Sequence, residues 1–135
     1  MKLALLGGAL LLATTSAALA QEDCGAKNNQ MEMNQCASEA YKHADAELNR
    51  VYKQVQARLK TDASTGKLLI NAQRAWIGYR DAECKLSASG TEGGSIYSFL
   101  LSSCLTDATQ RRIDDLKGYL KCEEGDLACP VPSAD

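Results

Sequence analysis

Apolar residues return every three or four positions between Met33 and Leu59: Met33, Ala37, Ala40, Tyr41, Ala44, Leu48, Val51, Tyr52, Val55 and Leu59. That period marks one face of an α-helix, and no glycine or proline interrupts it before Lys60. Asn29 stands three residues ahead of Glu32, an N-cap with a capping-box acid in which Asn replaces the usual Ser or Thr. The spacing predicts a first helix of roughly 30 residues, stable only if its stripe is covered. Residues 61–66 then break the pattern with cap and turn residues.

A second helix is predicted from near Thr65 to near Leu86, with Leu68, Leu69, Ala72, Trp76, Ile77 and Tyr79 as its apolar positions. Its stretch 72–84 organises the chain. Leu69, Ala72, Gln73, Trp76, Arg80 and Cys84 fall on one stripe, which starts apolar and ends in Arg and Cys. Such a stripe is expected to make a central packing contact and to hold one polar pair, because a buried guanidinium without a partner is costly. Residues 87–95 contain three glycines and three serines and read as a flexible loop. A third helix is predicted from near Ser95 to near Tyr119, carrying Ile96, Phe99, Leu100, Ser103, Leu105, Ile113, Leu116 and Leu120, with Gly118 weakening its last turn. The tail, 121–135, has Gly125, Pro130 and Pro132 and no period. No strand-like alternation occurs after residue 20. The expected architecture is all-α: an antiparallel three-helix up-down-up bundle with disulfides and an irregular C-terminal tail.

The start of the chain does not belong to that bundle. Lys2, an apolar run over 3–12 and Ala18-Leu19-Ala20 form a signal-peptide pattern with cleavage after Ala20. The run is shorter than the about 20 residues of a membrane span. Cys24 follows Gln21-Glu22-Asp23 rather than the Leu-x-small sequence of an acylated cysteine. The chain is therefore expected to divide into a signal peptide at 1–20, a helical domain at 21–120 and a disulfide-looped tail at 121–135, and to be periplasmic or secreted. The formal charge of -2 becomes about -3 without Lys2, which argues against a nucleic-acid partner, since phosphate backbones require clustered Lys and Arg.

One Phe, one Trp and a largely alanine stripe make a thin core, for which disulfides are the expected supplement. Six cysteines follow the signal: Cys24, Cys36, Cys84, Cys104, Cys122 and Cys129. A zinc site fails on spacing, since no C-x2-4-C pair exists and His43 is the only histidine. If the first two helices turn near residue 63, Cys84 lies about 12 Å along from Cys36 at about 1.5 Å per residue, beyond the about 7 Å between disulfide Cα atoms. If the second and third turn near residue 91, Cys84 faces about residue 99, one turn short of Cys104. Sequential pairing, Cys24–Cys36, Cys84–Cys104 and Cys122–Cys129, is favoured; Cys36–Cys84 with Cys24–Cys104 is the alternative.

Catalytic chemistry finds little support. His43 follows Lys42 on a charged face and reads as a solvated side chain. The acid pairs Asp81/Glu83, Asp114/Asp115 and Glu123/Glu124 sit in no pattern that would drive two pKa values apart. No phosphate loop, nucleophile elbow or metal-binding helix motif is present, so neither an enzyme nor a cofactor or metal is expected. The informative polar residues lie beside the apolar stripes: Asp45 and Asn49 on the first helix, Gln73, Arg80 and Asp81 on the second, Thr109 and Arg112 on the third. Either Asp45 or another acid holds Arg80 across the helices, or the same groups line a groove for a partner's side chain. The tyrosines Tyr41, Tyr52, Tyr79, Tyr97 and Tyr119 suit an interface and a core edge equally.

Several of these pieces together resemble the family of LprI-type lysozyme inhibitors. They are Cys24 and Cys36 at a spacing of twelve, Ala44-Asp45-x-x-Leu48-Asn49-x-x-Tyr52, Ala72-Gln73-Arg74-Ala75-Trp76-Ile77-x-Tyr79-Arg80-Asp81-Ala82-x-Cys84, and Gly93-Gly94-Ser95 ahead of Cys104 and Arg112. The resemblance runs from about Cys24 to Leu120 and leaves the tail outside. It implies an exported helical protein that binds a peptidoglycan-cleaving enzyme such as lysozyme and blocks its cleft, with no membrane partner after signal cleavage. The matched polar positions, Asp45, Asn49, Gln73, Arg74, Trp76, Arg80 and Asp81, form the expected contact set. The family's namesake is a lipoprotein, and this chain lacks the acylated cysteine. The alternative is a structural or adaptor protein of the envelope with no lytic target.

Overall fold

The computed structural model describes residues 23–134; the expected signal peptide lies outside them. The elements run α1 (Gln30–Arg58), α2 (Ala63–Ala88) and α3 (Tyr97–Tyr119), with short 3-10 turns at Cys24–Ala26 and Ser89–Thr91. Among the described residues there is no strand. The bundle is up-down-up, as expected.

α1 starts where the capping residues place it. Asn29 Oδ1 accepts from the Glu32 backbone N–H at 3.0 Å, and Asn29 Nδ2 donates to Glu32 Oε1 at 3.0 Å. α2 begins two residues earlier than Thr65, because Asp62 is its N-cap. The Asp62 carboxylate accepts from the Thr65 N–H, the Thr65 hydroxyl and the Ser64 hydroxyl at 3.0, 2.6 and 2.8 Å. These bonds hold its pKa down at about 2.

α1 and α3 run parallel and pack along their whole length. Asn34 Nδ2 donates to the Ser95 carbonyl at one end, and Arg58 Nη1 donates to the Leu120 carbonyl at the other, both at 2.9 Å. The second bond also places a cation at the C-terminal end of α3, where the helix dipole favours it. The interface has two characters. Toward the start of α1 it is built from Ala37, Ala40 and Ala44 with Ser103 and Thr106 nearby, side chains too small to bury much apolar area, and the half-buried Phe99 is the large apolar group beside them. Toward the end it becomes a core of Leu48, Val51, Val55 and Leu59 against Ile113, Leu116 and, from α2, Leu69. The cystines Cys24–Cys36 and Cys84–Cys104 lie at the thin end. All six cysteines are paired in sequence order, with Cα separations of 5.5, 5.6 and 5.5 Å.

Two sequence expectations need correction. Residues 87–91 are not a loop: α2 continues to Ala88 and a 3-10 turn follows. The Ser89 and Thr91 hydroxyls donate to the carbonyls of Leu86 and Ala88 at 2.8 and 2.9 Å, and Ala88 is buried. The reversal, completed by Gly93 at φ +80°, is centred near residue 94 rather than 91, which brings Cys84 level with Cys104. Ala72 is exposed, not on the buried stripe of Leu69, Gln73, Arg80 and Cys84. The tail has no helix, as expected, and it adds to the core: Cys122 and Val131 are buried against the lower cluster. The Cys122–Cys129 loop turns through Gly125 at φ +86°.

Glu47 joins the two parallel helices at the surface. It accepts from Arg50 on its own helix at 2.7 and 2.8 Å and meets Lys117 Nζ of α3 at 3.2 Å. The Arg50 hydrogen bonds are the main reason its carboxyl sits at about 2, below an ordinary value of 4.5; its partial burial opposes them and Lys117 adds to them. A lowered folded-state pKa contributes stability that is complete above about pH 4.5 and is lost as pH falls toward 2. Urea midpoints measured from pH 6 to pH 2 should therefore fall below pH 4.5, and Glu47→Gln should flatten part of that fall. An unchanged slope in the variant would remove Glu47 from the acid response.

Candidate functional site

Arg80 is the centre of the polar network. Only 6% of its side chain is exposed. Its Nε donates to Asp81 Oδ1 at 2.9 Å and its Nη2 meets the same oxygen at 2.8 Å. Nη1 lies 3.6 Å from Asp45 Oδ1 on α1 and donates to Thr109 Oγ1 on α3 at 3.4 Å. The guanidinium also stacks on Trp76 and Tyr41, with centroid distances of 5.1 and 5.4 Å. One side chain thus touches all three helices. Burial pushes the Tyr41 phenol up, while Arg80 pulls it the other way.

A second guanidinium completes the arrangement. Arg112 of α3 lies 5.8 Å from the Trp76 ring and donates from Nε to Gln73 Oε1 at 3.0 Å. Trp76 is therefore flanked by two arginines, and Gln73 is spent on holding one of them. Among the described residues, no buried side-chain nitrogen or oxygen lacks a partner. Asp45 and Asp81 remain 43% and 46% exposed, so the network is anchored inside and opens outward through its acids. Asn49 donates to Asp45 Oδ2 at 3.3 Å.

Beside this network lies a groove of about 450 Å³ between α2 and α3, lined by Trp76, Tyr79, Arg80, Glu83, Cys84, Cys104, Ala108, Arg111, Arg112, Asp114 and Asp115. Its wall is aromatic and its rim carries both signs of charge. Tyr79 and Arg111 are exposed. Trp, Tyr and Arg are the side chains that most often dominate the energetics of a protein interface.

The chain matches the family model described as "Lysozyme inhibitor LprI" over residues 20–116. It belongs to the LprI family. Two curated relatives are similar to this LprI-family chain. One, named "Uncharacterized protein R02472", from Rhizobium meliloti (strain 1021), is 40% identical over 129 residues, covering 85% of this chain and 93% of the relative. The other, "Uncharacterized protein YecT" of Escherichia coli (strain K12), is 27% identical over 121 residues, covering 76% and 75%. No solved structure matches.

Of the seven expected contact residues, six fall within or beside the network. Asp45, Asn49, Arg80 and Asp81 cluster where α1 and α2 meet, Trp76 lines the groove, and the buried Gln73 holds Arg112 of its lining. Arg74 is exposed on the other edge of α2, since two positions along a helix is about 200° of rotation. Arg80 is a brace: Asp45 of α1 is the acid that holds it across the helices, while Asp81 pairs with it from the same helix. Tyr41, Thr109 and Arg112 complete the network. The positions of Thr109 and Arg112 were available from the cystine. With Cys84 level with Cys104, antiparallel counting sets Arg80 opposite residue 108 and Gln73 opposite residue 115, each within a turn of the partner found.

Proposed function

We propose that this LprI-family protein is an exported, disulfide-braced binding module that inhibits a lysozyme, using the groove between α2 and α3 as its contact surface. The match over residues 20–116 carries the reading. The paired state of all six cysteines suits an oxidising compartment outside the cytosol, and among the described residues no helix is long and apolar enough to cross a membrane. The groove supports a binding role over catalysis: its side chains brace one another, and no nucleophile is paired with a base.

A glycosidase cleft carries two carboxylates. Arg111 stands exposed on the groove rim and is the cation this surface can present to them. Tyr79 beside it supplies apolar contact with a polar tip. Arg80 acts indirectly, by fixing the α2 backbone under Trp76 and Tyr79. The acids Asp45 and Asp81 speed encounter with a basic surface, a contribution that salt screens.

The test is turbidity of cell-wall suspensions treated with a panel of lysozymes, with the mature oxidised protein added. Arg111→Glu and Tyr79→Ala alter exposed side chains, so the melting midpoint should not move, while the inhibition constant should rise at least about tenfold. Absence of inhibition by folded wild-type protein at tens of micromolar across the panel would transfer the protein to the envelope-adaptor reading. Unchanged inhibition by both variants would move the contact surface away from the groove.

A further inference from the structure

The outward face of α2 carries a second stripe that neither the fold nor the groove explains. Leu68, Ala72, Ala75, Tyr79, Ala82 and Leu86 follow one another at spacings of four, three, four, three and four residues, the rhythm of a coiled-coil seam. All six are exposed. Leu68, Tyr79 and Leu86 are open to 67%, 65% and 68%, high values for large apolar side chains lined up on one helix. The stripe is centred roughly 130° around the helix from the buried residues Gln73, Arg80 and Cys84.

We infer that this stripe is the contact surface of a weak homodimer, in which two α2 helices pack antiparallel about a two-fold axis near residue 77. The order of side chains argues for a second copy as the occupant. That axis sets Leu68 opposite the second copy's Leu86, Ala72 opposite its Ala82, and Ala75 opposite its Tyr79. Each tyrosine meets an alanine, so large and small alternate across the seam as they do in a packed core. The small pairs Ala72–Ala82 let the backbones approach, and leucines close both ends. A parallel pair has none of this fit: tyrosine would meet tyrosine, and alanine would meet alanine. An isologous contact of this kind closes on itself and stops at two copies. The seam itself holds no charge; Asn71 and Gly78 flank it on one side and the exposed Glu83 on the other, about 60° from its centre. Lys67, Arg74 and Lys85 lie a quarter turn or more away, where they stay hydrated.

Size sets the strength. The stripe spans about 27 Å at about 1.5 Å per residue. One helix pair of that length covers well under the roughly 800 Å² per partner of a standard interface. The dimer is accordingly reversible, with half-dissociation at about 10–100 µM. Tyr79 belongs to both the seam and the groove, whereas Leu68 and Leu86 belong only to the seam. The inference therefore does not rest on the inhibitor reading, and variants at the two leucines test it separately.

The experiment is sedimentation equilibrium of the mature oxidised protein from about 5 to 500 µM at low salt, a range that brackets that constant. The weight-average mass should climb from monomer toward dimer. Leu68→Glu with Leu86→Glu should raise the dissociation constant at least about tenfold and leave the melting midpoint in place, since both side chains are exposed. Leu68→Glu with Leu86→Lys reads the orientation: an antiparallel seam sets Glu against Lys and keeps the dimer, within about threefold of wild type. A monomer at every concentration overturns the inference, as does a dimer that survives the double Glu change. So does a Glu/Lys variant that dissociates as far as the Glu/Glu one.

Discussion

Replacing Cys84 and Cys104 together by alanine is expected to lower stability by about 3 kcal/mol and the melting midpoint by at least about 10 °C. The cystine closes a 20-residue separation, against 12 for Cys24–Cys36 and 7 for Cys122–Cys129. In the chain-entropy account the longest loop confers the most. Position adds to length. α2 contributes few large buried apolar side chains: Leu69 is inside, but the rest of its inner face is Gln73, Arg80, Cys84 and Ala88. α1 and α3, by contrast, share the Leu48–Ile113–Leu116 core. Without the bond, α2 is held by Leu69, the partly buried Trp76 and the polar contacts of Arg80 and Gln73, and should open before the other two helices do. The chain's single Trp76 lies on α2, so indole emission reports that opening. In urea, the emission of the variant should shift red at a lower concentration than the loss of far-UV circular dichroism. Coincident transitions at the wild-type midpoint would show that these contacts hold α2 down without the bond.

The second large effect comes from stranding Arg80. Asp45→Asn with Asp81→Asn leaves a nearly buried guanidinium with two stacked rings and the Thr109 hydroxyl. Breaking a buried pair from one side costs about 3–5 kcal/mol. Because both acids are nearly half-exposed and solvent screens them, about 2–3 kcal/mol is expected here. Adding Arg80→Met should recover most of the loss, since it removes the uncompensated charge and keeps a long apolar stem against Trp76. The sign of that third substitution decides the matter in a mutant cycle read by urea unfolding. A triple variant less stable than the double would mean that stacking and packing, rather than charge pairing, are what Arg80 contributes.

Much of this was legible in the chain before its fold was known. The first helix declares itself through an uninterrupted stripe and the Asn29 cap, both local features. Reach along antiparallel helices favoured Cys84–Cys104 over Cys36–Cys84, and the sequential pairing is the one found. The face of α2 was harder, because α2 carries two stripes. The one with Leu68, Tyr79 and Leu86 is the more apolar, yet it is the one left outside. Its rotation is set by Cys84, tied to Cys104, and by Arg80, tied to Asp45 and Thr109. Hydrophobic period cannot register such long-range constraints, and Ala72, shared between the two readings, was placed on the wrong side. The span 87–91 misled for a different reason. Its serines and threonine read as loop formers, but here they satisfy the last carbonyls of a helix. In the groove, the arginine-flanked tryptophan could be reached only by counting outward from the cystine.

Val131 lies fifteen positions past the last residue of the family match and yet sits against the same cluster as Leu59 and Leu116. The family boundary and the physical boundary of the folded unit therefore do not coincide. A fragment trimmed to the matched segment would lose the plug at the foot of the bundle and present bare aliphatic side chains to water.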